Sequence, residues 1–271
     1  MNASFWTNVL QLAREQTTRI GTQLMQDFAQ VQARTKSDGS LVTRSDEWAD
    51  RELRGAISDR FPDHGLLTEE GDRTFPGTDW CWAIDPIDGT NNFARGIPVW
   101  GTSMALMYRG TPVFGYLNIP PLQQAFYGYY QAKPLLATLP ANSAYMNERP
   151  IRPSSDSISR HHFFSVCSRS WAAVTQLPCK RRMLGAAAYN LSSVALGSTL
   201  GALEATPKIW DIAAAWVIVH GAGAAWLPLD GKTLFPLRPG QDYVSTDYPT
   251  LVASRAELMP EFKDAIIPAK L

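Results

Sequence analysis

The sequence predicts a mixed α/β (α+β) fold, and three observations carry that expectation. Apolar residues recur near a period of 3.6 through the first 60 positions, β-prone runs divided by turn residues fill the middle, and strand-like and helix-like segments alternate from Phe163 onward. With 271 residues, 45% of them hydrophobic and 18% charged, the chain can bury a full core as one large α/β domain or two tightly joined subdomains.

Phe5, Trp6, Val9, Leu10, Ala13, Ile20, Leu24 and Phe28 describe a first amphipathic helix, which the turn residues Lys36-Ser37-Asp38-Gly39 are expected to end. A second helix starts near Ser45-Asp46, turns Trp48, Ala49, Leu53 and Ile57 inward and stops before Pro62. Trp80 to Ile84 reads as a strand running into a functional loop at Asp85-Pro86. Met104 to Tyr108, Val113 to Leu117 and Ala125 to Tyr130 suggest an antiparallel meander. After Phe163 come an apolar strand, a helix over about 186–196, a short strand near 202–204 and a helix opened by Asp211. The Pro-, Ala- and Asn-rich stretch from Lys133 to Pro153 marks the expected boundary between an N-terminal half, 1–140, and a C-terminal half, 141–271, of one compact unit.

Charge and cysteine usage narrow the function. Twenty-five basic and 25 acidic residues give a net charge of +0, so no global basic field is available to hold nucleic acid or an anionic membrane. Cys81, Cys167 and Cys179 are odd in number and lack CxxC spacing, which argues against a disulfide framework and a zinc site. With no export signal at the N-terminus, a cytoplasmic protein is expected. Ile212 to Leu229 carries no charged side chain, but Gly221, Gly223 and Pro228 interrupt it, so it reads as a buried helix, a turn and a strand. The tryptophans are expected in the core, with Trp100 a candidate for the mouth of a site because it follows the Asp85 loop.

The chemistry collects in Asp85-Pro86-Ile87-Asp88-Gly89-Thr90. Two acids three residues apart at a strand end occupy neighbouring positions, and Gly89 and Thr90 then expose backbone N–H groups of the kind that cradle phosphate. Carboxylates beside a phosphate repel it unless cations lie between, so the arrangement calls for Mg²⁺. Alone, the Asp-x-x-Asp spacing is an ordinary solvated loop, Asp211 an N-cap and Glu70 a surface acid. Glu69-Glu70 after an apolar run and Trp210-Asp211 at a helix start change that reading when taken together.

These segments, with Lys36, the Leu41-Val42-Thr43-Arg44-Ser45-Asp46 stretch, Gly185-Ala186-Ala187 and Glu204, resemble the inositol monophosphatase superfamily over nearly the whole chain. The resemblance implies a layered αβαβα sandwich, a homodimer and a phosphatase of small phosphate monoesters. It implies that Glu69, Asp85 and the Ile87 carbonyl hold one Mg²⁺, that Asp85, Asp88 and Asp211 hold a second, and that a third, weaker ion sits near Glu69. Asp46 and Thr90 would orient the nucleophilic water, and the Gly89 and Thr90 amides would bind phosphate. Asp88 and Asp211 would also border the substrate, Glu204 and Ala187 would face its alcohol portion, and Li⁺ would inhibit. Ala186 departs from the inositol-specific pattern by lacking a hydroxyl; Pro98-Val-Trp-Gly-Thr102 looks like the histidinol-phosphatase branch, whereas Asn91-Asn92-Phe93 favours the inositol side. An inositol or similar sugar phosphate is thus the leading expected substrate, followed by histidinol phosphate, then fructose 1,6-bisphosphate or a 3′(2′),5′-bisphosphate nucleotide. A catalytically silent metal- or phosphate-binding regulatory protein is the alternative from another class.

Overall fold

A computed structural model describes residues 3–36, 39, 41–133 and 136–267. Ser37 and Asp38 of the turn expected at 36–39, and Pro134 and Leu135 of the expected boundary, lie outside the described residues. Helix α1 (Ala3–Asp27) ends before that turn. Its stop is tertiary: Ala29 takes φ 62° and turns its N–H to the Phe93 carbonyl at 3.1 Å. The chain then forms a small antiparallel pair, β1 (Arg34–Thr35) and β2 (Leu41–Val42).

Helix α2 (Arg44–Arg60) begins where the local chemistry says it should. Thr43 is its N-cap, with Oγ1 accepting from the Ser45 and Asp46 amides, while Asp46 Oδ2 accepts from the Thr43 N–H at 2.8 Å. There follow β3 (Gly65–Thr68), β4 (Trp80–Asp88), the short helix α3 (Thr90–Arg95), β5 (Gly101–Tyr108), β6 (Thr111–Ile119), β7 (Gln124–Tyr129), β8 (Ser143–Met146) and β9 (Arg149–Pro150). These seven strands, β3 to β9, form one sheet in sequence order, parallel only between β3 and β4. The expected meander is its centre, and β8 and β9, on the far side of position 140, extend it.

The rest of the chain comprises β10 (Phe163–Val166), β11 (Lys180–Arg182), α4 (Ala187–Ala195), β12 (Gly201–Glu204), α5 (Ile209–Ala222), β13 (Ala225–Pro228), β14 (Thr250–Ala253) and α6 (Met259–Asp264). Its five strands are ordered β11-β10-β12-β14-β13. Three apolar clusters define the layering. One lies between α1, α2 and the seven-stranded sheet, one between that sheet and α4 and α5, and one between the five-stranded sheet and α6. The stacking is αβαβα.

Helix α5 is apolar on every side because sheets flank it on both sides. Gly115 on β6 lets it lie close: a Cβ there would come within 2.4 Å of the Ala214 carbonyl oxygen. The helix ends at Gly223, φ 93°, and β13 follows, so the uncharged 212–229 stretch is the helix, turn and strand its breakers indicate. Among the described residues no helix is long and apolar enough to cross a membrane. The three cysteines are free.

Candidate active site

Strand β4 is buried almost throughout, and its irregular end makes the site. Asp85 pairs with Ser103 and Asp88 with Gly101, so three steps along β4 face two along β5, a bulge seated at Pro86, which has no N–H for a ladder. The Ile87 N–H donates to Asp85 Oδ1 at 2.9 Å instead, fixing that carboxylate from below. Gly89 follows at φ 92°, where a side chain would be strained and its Cβ would crowd the Val99 carbonyl at 3.1 Å and Ala186 at 3.2 Å. Thr90 opens α3, and its Oγ1 donates to Asp46 Oδ1 and the Ile87 carbonyl, each at 3.1 Å.

Glu69, Asp85 and Asp211 each offer an oxygen, and these atoms all lie within 4.8 Å of one another. Glu69 leaves the end of β3 with its N–H on the Ile84 carbonyl and its own carbonyl held by Arg73 Nε at 2.8 Å. Asp211, in the first turn of α5, accepts from the Lys208 N–H at 2.8 Å. Burial pushes the Asp85 and Asp211 carboxyls well above the usual range, and the charge of Glu69 adds to both. Lys36 Nζ lies at the rim of the cluster, 3.0 Å from Glu69 Oε1 and also bonded to Glu70. Burial, then the charge of Glu69, raises Glu70 to about 7. Three hard oxygen donors converging in this way could hold a metal ion.

Asp46 stands beside this cluster. Burial pushes it up to about 6, against the hydrogen bonds from Thr43. Asp88 is placed differently from Glu69, Asp85 and Asp211: both its oxygens accept backbone amides, Ala187 and Ala188 at 2.8 Å each, so it caps α4 across 99 residues of sequence. Burial still lifts it to about 7. Asp88, Ala187, Asn190, Cys167 and Glu204 wall a cavity of about 450 Å³, with the exposed Ile97 and Met183 at its rim. Burial raises Glu204 to about 8 although Asn190 Nδ2 donates to it at 2.6 Å.

Trp100 corrects one expectation. It is fully buried and packs edge-on against Phe93, because its register on the way into β5 turns it toward α1 and away from the mouth. Sequence reasoning gave no role to Asn190, which holds Glu204, or to Asn92, whose Nδ2 bonds the Val99 and Leu184 carbonyls and ties the α3 turn to the Gly185 loop. For Asn190 the available signal was an amide within the largely apolar run of α4; Asn92, in the polar α3, offered none.

Residues 6–263 match the profile described as the inositol monophosphatase family. A histidinol-phosphatase of Mycobacterium tuberculosis is 32% identical over 210 residues, 73% of this chain and 77% of that protein. An inositol-1-monophosphatase of Synechocystis is 32% identical over 229 residues, 79% of this chain and 76% of that protein. In structure, the IMPase of Thermotoga maritima superposes with a TM-score of 0.79 at 25% identity, covering 94% of this chain and 95% of its own. These likenesses place the chain among the hydrolases of phosphate monoesters. It belongs to the inositol monophosphatase family.

Proposed function

We propose that the chain is an Mg²⁺-dependent phosphomonoesterase of a small polyol or sugar phosphate such as inositol 1-phosphate. The convergence of Glu69, Asp85 and Asp211 within 4.8 Å, beside the Gly89 turn, carries this reading. Glu69, Asp85 and the Ile87 carbonyl would hold one ion, and Asp85, Asp88 and Asp211 a second, since the amides of Ala187, Ala188 and Tyr189 leave Asp88 about one of its four acceptor positions. A third, weaker ion would sit near Glu69. Bound there, Mg²⁺ supplies charge neutralisation at the attacking and leaving oxygens and brings the pKa of a bound water from 15.7 toward ~7.

The chain's own groups do the rest. Thr90 Oγ1, tied to Asp46, orients the water, and Asp46 is basic enough to take its proton through that hydroxyl. The Gly89 and Thr90 amides bind the phosphate oxygens. The water oxygen bonds phosphorus as the ester P–O bond breaks, releasing an alcohol and inorganic phosphate. Glu204 and Ala187 face that alcohol in the 450 Å³ cavity. Excess EDTA should abolish hydrolysis and Mg²⁺ restore it; full activity in EDTA would sink this reading. Li⁺ should inhibit uncompetitively, by entering beside product phosphate near Asp85, Asp88 and Asp211.

One observation favours histidinol phosphate as a second reading. Among the described residues no cationic side chain lines the cavity, whereas Asp88 and Glu204 both do. A substrate ammonium would pair with Glu204 more strongly than a hydroxyl would, and a second phosphate would be repelled. A panel of inositol 1-phosphate, histidinol phosphate, fructose 1,6-bisphosphate and 3′-phosphoadenosine 5′-phosphate, compared by kcat/KM at fixed Mg²⁺, decides. Both bisphosphates should trail, and a tenfold lead for histidinol phosphate would replace the polyol reading.

A further inference from the structure

A second cavity, also of about 450 Å³ and open to solvent on one side, is framed by the loop between β13 and β14. Lys232, Arg238, Gln241, Tyr243, Thr246 and Tyr248 line it, and among the described residues no carboxylate does. Its charge is thus opposite to that of the substrate cavity. Lys232 Nζ rests 3.1 Å from Asp230, but the Arg238 guanidinium makes no hydrogen bond or ion pair among the described residues. Tyr243 and Tyr248 are buried, and burial pushes both phenols up, so they stay O–H donors at neutral pH. An unpaired guanidinium beside phenolic donors, over the apolar Leu234 and Pro236, suits an oxyanion carried on an organic body.

The walls of this cavity are bonded to the segments that carry two of the clustered acids. On one side the Tyr243 N–H donates to the Arg73 carbonyl at 2.9 Å, and Arg73 Nε holds the Glu69 carbonyl. On the other, Asp247, between Thr246 and Tyr248, pairs with Lys208 Nζ at 2.8 Å, and the Lys208 N–H is held by Asp211. Tyr248 N–H also donates to the Pro207 carbonyl at 3.0 Å. One residue, Arg73, therefore separates the cavity wall from Glu69, and two, Asp247 and Lys208, separate it from Asp211.

We propose that this cavity is an effector site for a small organic anion, a phosphate- or carboxylate-bearing metabolite, whose binding biases the placement of Glu69 and Asp211. The binding half of the proposal is independent of the function assigned above. Phenylphosphonate and benzoate, neither of them hydrolysable, would be titrated calorimetrically into the full chain stripped of metal with EDTA and then freed of EDTA by gel filtration into metal-free buffer, where the uncompensated acids keep anions out of the catalytic cluster. Expected is one saturable site per chain, weakened at least tenfold in Arg238→Ala and unchanged in Glu204→Gln. Tighter phosphonate binding identifies a phosphorylated effector, and tighter benzoate binding a carboxylate. Absence of saturable binding by either probe, or equal affinity in Arg238→Ala, overturns the site. Coupling is read by amide hydrogen exchange, which should slow at least threefold over 69–75 and 208–212 on binding in the unmodified protein. Binding without that change overturns the coupling.

Discussion

Asp85 is a carboxylate at 2% exposure that accepts from the Ile87 amide, and burial first, then the charges of Glu69, Asp211, Asp88 and Asp46, raise its pKa. Such a group is tolerated in a native fold when a cation completes it. Asp85→Asn should therefore lower kcat by several orders of magnitude while leaving the metal-free protein as stable as before or more so at pH 8. Loss of stability in parallel with activity would make Asp85 a structural residue instead. Glu204→Gln should reduce kcat/KM most for a substrate with an ammonium, less for a polyol phosphate and least for an aryl phosphate, a ranking a purely structural carboxylate would not produce. The identity and spacing of these acids were legible in the sequence. Asp88's grip on two amides 99 and 100 residues away was not, because nothing local marks the place where another segment will start a helix. Lys36 shows the same limit: its two carboxylate partners lie 33 and 34 positions on.

Among the elements, α2 and its N-cap hold the clearest link between folding and chemistry. Thr43 caps the helix and bonds Asp46 Oδ2 through both its N–H and its Oγ1, so one side chain fixes the helix start and aims Asp46 Oδ1 at Thr90. Thr43→Ala should cost about 1 kcal/mol of stability, the usual worth of a cap. It should lower kcat more than that loss of stability explains, with the acid limb of the pH–rate profile displaced, and Thr43→Ser should restore both. An unchanged profile would confine Thr43 to capping. Helix α2 was readable because its start and stop signals are local. The end of α1 was not, since a hydrogen bond to Phe93 sets it. Strands β8, β9, β11 and β14, of two to four residues, escaped notice because pairing with neighbours stabilises them and no periodic pattern can develop over so short a run.

At the scale of the whole molecule, the αβαβα stack buries a group of acids whose charges oppose one another, and the pH dependence of stability follows. Asp46 is raised from 3.8 to about 6, Asp88 from 3.8 to about 7 and Glu204 from 4.5 to about 8, all chiefly by burial. A carboxyl raised on folding binds its proton more tightly in the native state than in the unfolded one. The native state thus holds more protons between the unfolded values near 4 and the folded values near 8, and stability falls as pH rises through that window. For Asp46 alone the loss is on the order of 3 kcal/mol by pH 8. The metal-free protein should accordingly melt several degrees higher at pH 5 than at pH 8. Mg²⁺ selects the ionised carboxylates, so it should raise the midpoint far more at pH 8 than at pH 5 and flatten the dependence. Thermal melts in EDTA and in excess Mg²⁺ across pH 5–8 check this. A metal-free midpoint that rises with pH would mean that the acids are ionised and paired within the protein, which would remove the electrostatic need for a cation.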